Sequence, residues 1–251
     1  MTGFMVKASA FIFIIVLFIF FYTTSNFASP LKKTKINQRN NPPIIKIISP
    51  ANNTAFANGQ PVHYSITVSD KEDGESKYDE INPKEILLEV KYNSEASTQI
   101  EALKKTVQTD APGLAAMRMS NCFNCHGFDN KVIGPAFIDI NKRYKPTVPN
   151  IILLAKRIRE GSTGIWGKVT MPTHPELTQE QIQNMVKWIM QNALGTTVHY
   201  YIGTEGSFSL KLPDGAGKSS TYILTASYTD HGINNIGQRL KGQDAIVIHI
   251  Q

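Results

Sequence analysis

Cysteine is scarce in this chain, with 2 residues in 251. Without a second pair, a four-ligand zinc site built on thiolates is excluded, and no disulfide can staple distant segments together. Strong charge of one sign is missing too: 26 Lys+Arg stand against 20 Asp+Glu. No basic run is interleaved with aromatic residues, so nucleic acid is not an expected partner. Nothing is arranged like a hydrolase triad or a phosphate-cradling loop, and no catalytic residue is assigned.

What is present begins with Lys7 and the apolar run "ASAFIFIIVLFIFFY" from Ala8 to Tyr22, followed by the small residues of "TTSNFASP". The run is shorter than the roughly 20 residues of a spanning helix, and residues 1–28 read as a secretory signal peptide. Asn26 is a poor residue just upstream of a cut after Ala28, which keeps an uncleaved N-terminal membrane anchor open. No lipidation cysteine lies near the segment. Either way the remainder is expected outside the cytoplasm, in a periplasmic or other extracytoplasmic space. Residues 29–41 lack periodicity and large apolar side chains, and read as a linker.

Both cysteines stand in "NCFNCHG", Cys122 and Cys125 with His126 directly after. A Cys-x-x-Cys pair outside the cytoplasm could be a redox disulfide, but the following histidine changes the reading. Cys-x-x-Cys-His is the attachment signature of c-type haem. Two thiols three apart on a helical turn reach the two vinyl groups of one porphyrin, and the next imidazole sits beneath the iron. One covalently bound haem c is therefore the expected cofactor, with His126 as an iron ligand.

The other face of the iron needs a second ligand. Met171 lies before Pro172 in the Gly- and Thr-rich loop "GSTGIWGKVTMPTHPELT". A methionine is usually core filler, but this one sits between two helical patterns with no apolar stripe to account for it. Met171 is the expected second ligand, with His174 as the alternative. A Met/His pair raises the potential relative to His/His.

The stretches "NCFNCHGFDNKVIGPAFIDINKRY" and "LLAKRIREGSTGIWGKVTMPTHPELTQEQIQNMVKWIM" resemble the small bacterial class I c-type cytochromes, and most of all the modules appended to some secreted sugar dehydrogenases. The resemblance runs from about Ala111 to Leu194. It implies that His126 and Met171 are the axial ligands and that the carbonyl of Pro135 orients the His126 ring. It also implies that Trp166 and Arg157 hold the haem propionates. A redox protein such as a dehydrogenase or terminal reductase is the partner it implies.

Helix patterns support a helical domain over 100–195. Asp110 is a plausible N-cap for the segment leading into the haem motif. Ile151, Leu154, Ala155 and Ile158 fall on one face. Thr178 and Gln181 form a capping box, Leu177 and Ile182 a staple, and Gly195 can close that helix. Ile182, Met185, Val186 and Ile189 form its buried stripe, and Trp188 is expected to pack across the first helix.

The flanks read as strands: "PPIIKIISP", "VHYSITVSD" and "EILLEVKYN" before the helical part, and "TVHYYIG", "GSFSLKLP", "TYILTASYTDHG" and "DAIVIHI" after it. These seven short strands resemble a bacterial Ig-like module without a disulfide. Three or four strands bury too little to stand alone. The expected fold is therefore α+β and multidomain: an all-α class I cytochrome c domain inserted into an Ig-like β-sandwich with halves at 42–95 and 196–251.

In the acidic turn "SDKEDGESKYDE", Asp70, Glu72 and Asp73 offer oxygen ligands for calcium, but not at EF-hand spacing, and such turns are commonly just polar. His63, His199, His231 and His249 read as strand or turn residues. The function implied is one-electron transfer, the Ig-like part positioning the haem. The alternatives are a ligand-binding or peroxidatic haem protein, which needs an open iron site, and a glycan-binding module with an accessory haem.

Overall fold

A computed structural model describes residues 39–92, 101–102, 106–195, 197–212, 220–234 and 236–251. The expected signal or anchor at 1–28 lies outside the described residues, as do most of the linker and both predicted boundaries of the insert at 95 and 100. Among the described residues no helix is long and apolar enough to cross a membrane.

The first strands are β1 (Ile44–Ser49), β2 (Thr54–Phe56), β3 (Pro61–Asp70), β4 (Gly74–Glu75) and β5 (Leu87–Tyr92). Helices α1 (Pro112–Met119), α2 (Phe137–Arg143), α3 (Val148–Glu160) and α4 (Gln179–Asn192) follow, and then β6 (Val198–Ile202), β7 (Glu205–Ser209), β8 (Ser220–Thr229) and β9 (Lys241–Ile250). Two of these strands, β2 and β4, had no counterpart in the sequence pattern. With three and two residues they are too short to show alternation.

The strands form two sheets. In one, β3 pairs antiparallel with β1 on one edge and with β4 and β7 on the other. The other runs β2-β9-β8-β5-β6. Strands from before and after the helices interleave in both: β3 with β7, β5 with β6 and β8, and β2 with β9 in parallel. Alternation along β3 buries Val62, Tyr64, Ile66 and Val68. They share one core with Ile45, Leu88, Val90, Tyr222, Leu224, Tyr228, Ile246, Ile248 and Ile250. Thus β1 and β9 lie in different sheets and contribute to the same interior.

β5 and β6 are adjacent antiparallel strands, and the Tyr92 N–H donates to the Thr197 carbonyl at 2.8 Å. The whole helical segment occupies the position of their hairpin connection. It also packs on the sheet: Leu87 of β5 and Tyr200 and Ile202 of β6 join the helical core, while Leu88 and Val90 point into the sandwich. This division follows from side chains alternating across a strand.

Within the helical core, α1 crosses α4 where Gly113 meets Trp188, and a Cβ at Gly113 would come within 2.2 Å of the Asn184 carbonyl oxygen. Ile182, Met185, Val186 and Ile189 are buried, and Thr178 and Gln181 cap α4 reciprocally. Two expectations are corrected. Asp110 does not cap α1, whose N-cap is Ala111 with no side-chain bond. Asp110 instead accepts from Arg118 and Lys241, a stronger use of a carboxylate than capping. At the other end of the domain Ala193 is the C-cap of α4, and Gly195 joins the closing turn through its N–H to Asn192 without left-handed backbone.

Candidate functional site

Residues 121–126 form one tight turn. Asn121 enters it with φ 55°, a conformation asparagine tolerates. Cys122–Asn124 are 3₁₀, and the Cys125 and His126 N–H groups both donate to the Cys122 carbonyl. This places Cys122, Cys125 and His126 along one cleft. Both cysteines are unpaired and half-buried. Burial pushes the Cys122 thiol up to about 12, so it is protonated at neutral pH.

His126 is only 8% exposed and stacks on Phe137 at 5.4 Å between centroids. Its Nδ1 lies 2.7 Å from the Pro135 carbonyl oxygen. A carbonyl can only accept, so Nδ1 carries the proton and Nε2 keeps its lone pair. Burial lowers the imidazole's basicity against the opposing effect of the Pro135 bond. A second constraint was missed by sequence reasoning. A Cβ at Gly134 would stand 2.5 Å from Cε1 of His126 and 2.9 Å from each ring nitrogen. Backbone geometry does not require glycine there, since its φ is not left-handed; the ring does. Gly134→Val is expected to push the imidazole out of place and destabilise the haem-loaded protein by about 1–3 kcal/mol, measured as a fall in Tm with loss of the low-spin spectrum.

Across the cleft, the loop after α3 is pinned at its base. Ser162 and Met171 exchange both backbone hydrogen bonds, at 2.9 and 3.2 Å. Gly161 permits this with φ 79°, and a Cβ there would come 2.8 Å from the Met171 carbonyl oxygen. Met171 therefore faces the same space as His126. His174 does not line the cleft; its Nδ1 is 2.8 Å from Glu176 Oε1, and its N–H bonds Ile158.

All seven residues singled out in the sequence line this one cleft: Cys122, Cys125, His126, Pro135, Arg157, Trp166 and Met171. Counted out to its open mouth, its empty volume is about 1290 Å³. Arg157 donates to the Tyr144 hydroxyl at 2.6 Å. The Arg143 guanidinium lies 4.8 Å over the Trp166 ring. Tyr144 and Arg143 were not legible as partners, because they reach Arg157 and Trp166 from the end of α2. The remaining histidines lie elsewhere: His63 bonds Ser207, His199 lies on β6 opposite Val90, His249 approaches Thr221, and His231 lies between Asp73 and Glu85.

The Cytochrome c family profile matches residues 111–193. Cytochrome c-552 of Hydrogenobacter thermophilus is 30% identical over 96 residues, which cover 97% of that protein and 35% of this chain. This chain belongs to the cytochrome c family. Cytochrome c-552 of Nitrosomonas europaea is 33% identical over 71% of its length and 29% of this chain. The crystal structure of Nitrosomonas europaea cytochrome c552 is 31% identical, spans 31% of this chain and 96% of that one, and superposes with a TM-score of 0.30. Members of the family are electron carriers that work with redox partners, and haem c, covalently attached and containing iron, is the cofactor of this cytochrome domain. The residues present fit that group. Two free thiols, an imidazole with an available Nε2, a thioether opposite and a mostly apolar wall supply what it requires.

Proposed function

We propose that the chain is an extracytoplasmic mono-haem electron carrier in which Cys122 and Cys125 would bond the haem and His126 and Met171 would hold its iron. The observation that carries this reading is the facing pair: His126 fixed by Pro135 on one wall, and Met171 fixed by Ser162 on the other. The cofactor supplies a single-electron Fe(III)/Fe(II) couple when bound. His126 and Met171 would both hold the iron, so no substrate need reach it. Pro135 keeps the proton on Nδ1 and the ring in orientation. Arg157, bonded to the Tyr144 hydroxyl, and Trp166 would hold the propionates. Apolar walls from Ile140, Leu154, Ile158, Val186 and Ile189 exclude water and favour the reduced, less charged iron.

The sandwich, which we read as Ig-like, positions the haem near a partner such as a dehydrogenase of the secreted sugar-oxidising type or a terminal reductase. The segment 1–28 would export the chain, or anchor it to the membrane. Met171→Ala tests the assignment. Covalent haem is expected to remain and exogenous imidazole to bind. The potential is expected to fall by on the order of 0.1 V, within the range axial ligands set. An unchanged spectrum and potential, with both altered instead in His174→Ala, would move the ligand to His174. A wild-type spectrum that is high-spin and responds to peroxide would replace electron transfer by the peroxidatic reading.

A further inference from the structure

Among the described residues the sandwich lends one aromatic ring to the helical core, that of Tyr200 on β6. It stacks on Phe128 at 5.0 Å between centroids and 27° between planes. Phe128 in turn meets Phe137 edge to face at 5.5 Å, and Phe137 is the ring on which His126 stacks, 17° from parallel. Phe128 and Phe137 are both buried. Their backbones are tied as well, since the Ile138 N–H donates to the Phe128 carbonyl at 3.0 Å. Trp188 closes the cluster from the side, meeting Phe128 and Tyr200 at steep angles of 71° and 60°. An unbroken run of rings thus leads from a strand of the sandwich to the face of His126.

The far end of the run is anchored. Tyr200 stands directly opposite Glu89 of β5 in the antiparallel register, on the same face of the sheet. Its hydroxyl donates to the Glu89 carboxylate, and burial together with the Glu89 charge keeps the phenol protonated. Burial raises the half-buried Glu89 carboxyl, Lys91, Lys241 and the Tyr200 bond oppose that, and Asp110 adds to the rise. Without the hydroxyl this carboxylate would be short of a donor. The near end is confined too. The imidazole packs against the Gly134 backbone, where a Cβ would stand 2.5 Å from its Cε1. Close-packed interiors transmit displacement, so a shift of Phe137 must be taken up by His126.

We propose that Tyr200, held by Glu89, is a positioning residue through which the sandwich fixes the orientation of His126 and so sets the potential of the haem. This rests on the reading of His126 as an iron ligand. It gives the β-domain a part in the redox chemistry besides placing the haem near a partner. The surroundings of an axial ligand and its exposure to water are among the levers by which a protein sets a haem potential. Tyr200 reaches both, one ring removed from the ring that stacks on the imidazole.

The test uses the full haem-loaded chain. The midpoint potential is read by spectroelectrochemistry. The haem methyl shifts of the Fe(III) protein, read by proton NMR, report the orientation of the axial ligands. Tyr200→Leu takes the ring away from Phe128 and admits water behind it, which favours the more charged Fe(III). At the wild-type midpoint its Fe(III)/Fe(II) ratio is expected to be about fivefold higher, a midpoint lower by about 40 mV at roughly 59 mV per tenfold for one electron. Its methyl shifts should be reordered. Tyr200→Phe keeps the ring and loses only the bond to Glu89; it should restore the methyl order and leave a ratio about twofold above wild type. A lower Tm alone in Tyr200→Leu, with potential and methyl shifts unchanged, would reduce Tyr200 to core packing and overturn the proposal. Should that variant not fold, a wild-type ratio in Tyr200→Phe overturns it. A wild type lacking a low-spin spectrum would overturn the ligand reading and this inference together, whereas a low-spin wild type with indifferent Tyr200 variants overturns this inference alone.

Discussion

A chain with serine at both 122 and 125 is expected to carry no covalent haem when expressed with a c-type maturation system, and its band on a denaturing gel should not stain for haem. The expectation follows from bond making. Each thiol adds across a vinyl double bond, sulfur to one carbon and the thiol proton to the other, so no oxidant is consumed. Hydroxyls are far weaker nucleophiles and leave the vinyl groups intact. A single serine variant keeps one thioether and should still stain. His126→Ala differs again: both thiols remain, but the imidazole proposed to hold the iron, which Pro135 and Phe137 fix in place, is gone, and stable holoprotein should not accumulate. Covalent haem in the double variant would remove both cysteines from the attachment site.

Arg118→Ala is expected to lower the unfolding free energy by about 3–5 kcal/mol, the cost of breaking a buried, hydrogen-bonded ion pair. Arg118 is 8% exposed at the end of α1. Its Nη1 donates to Asp110 and to the Ser227 hydroxyl at 3.1 and 3.0 Å. Its Nη2 donates to the carbonyls of Ser227 and Glu85 at 3.0 and 3.3 Å. One guanidinium thus ties α1 to β8 and to the turn before β5. Truncation leaves the buried Ser227 carbonyl, the half-buried Glu85 carbonyl and Asp110 each short of a donor. Arg118→Lys keeps the charge but not the planar fork, and should recover only part of the loss. Urea unfolding followed by far-UV circular dichroism and by the Soret band gives the numbers. A change below 1 kcal/mol in Arg118→Ala would show that the junction does not depend on this side chain. The haem spectrum at zero denaturant should be unaltered, since Arg118 does not line the cleft.

The parts of the site that chemistry forces into short sequence windows were legible. Cys122, Cys125 and His126 would have to be neighbours to serve one porphyrin, and they line one cleft; the α4 capping box spans only Thr178 to Gln181. Long strands declared themselves through alternation, as along β3. The losses came where a distant partner overrides a local rule. Asp110 looks like a helix cap because its neighbours look like a helix start, yet its partner Lys241 is 131 residues away. Arg118 reads as a solvated helix charge until Ser227, 109 residues on, closes over it. Gly134 offers no signal at all, because what excludes a side chain there is the face of His126. The acidic turn at Asp70 shows its carboxylates, but the bond from Asn40 to Asp230, 190 residues on, depends on topology.

Placing the helical segment between two adjacent strands has a consequence for the order in which the chain is made. β5 is synthesised before the haem motif, while its neighbours β6 and β8 come after it, and β9, the partner of β2, is last of all. Until then the first strands expose unpaired edges and an open apolar face, the condition that invites wrong pairing. Bringing β5 to β6 unaided means closing a loop of about 100 residues, an entropic cost that must be met before any ladder bond forms. A cytochrome segment that has already folded around its haem would shorten that closure, and Thr197 lies hydrogen-bonded next to Tyr92. A chain that has attached its haem is therefore expected to resist proteolysis sooner than one that has not.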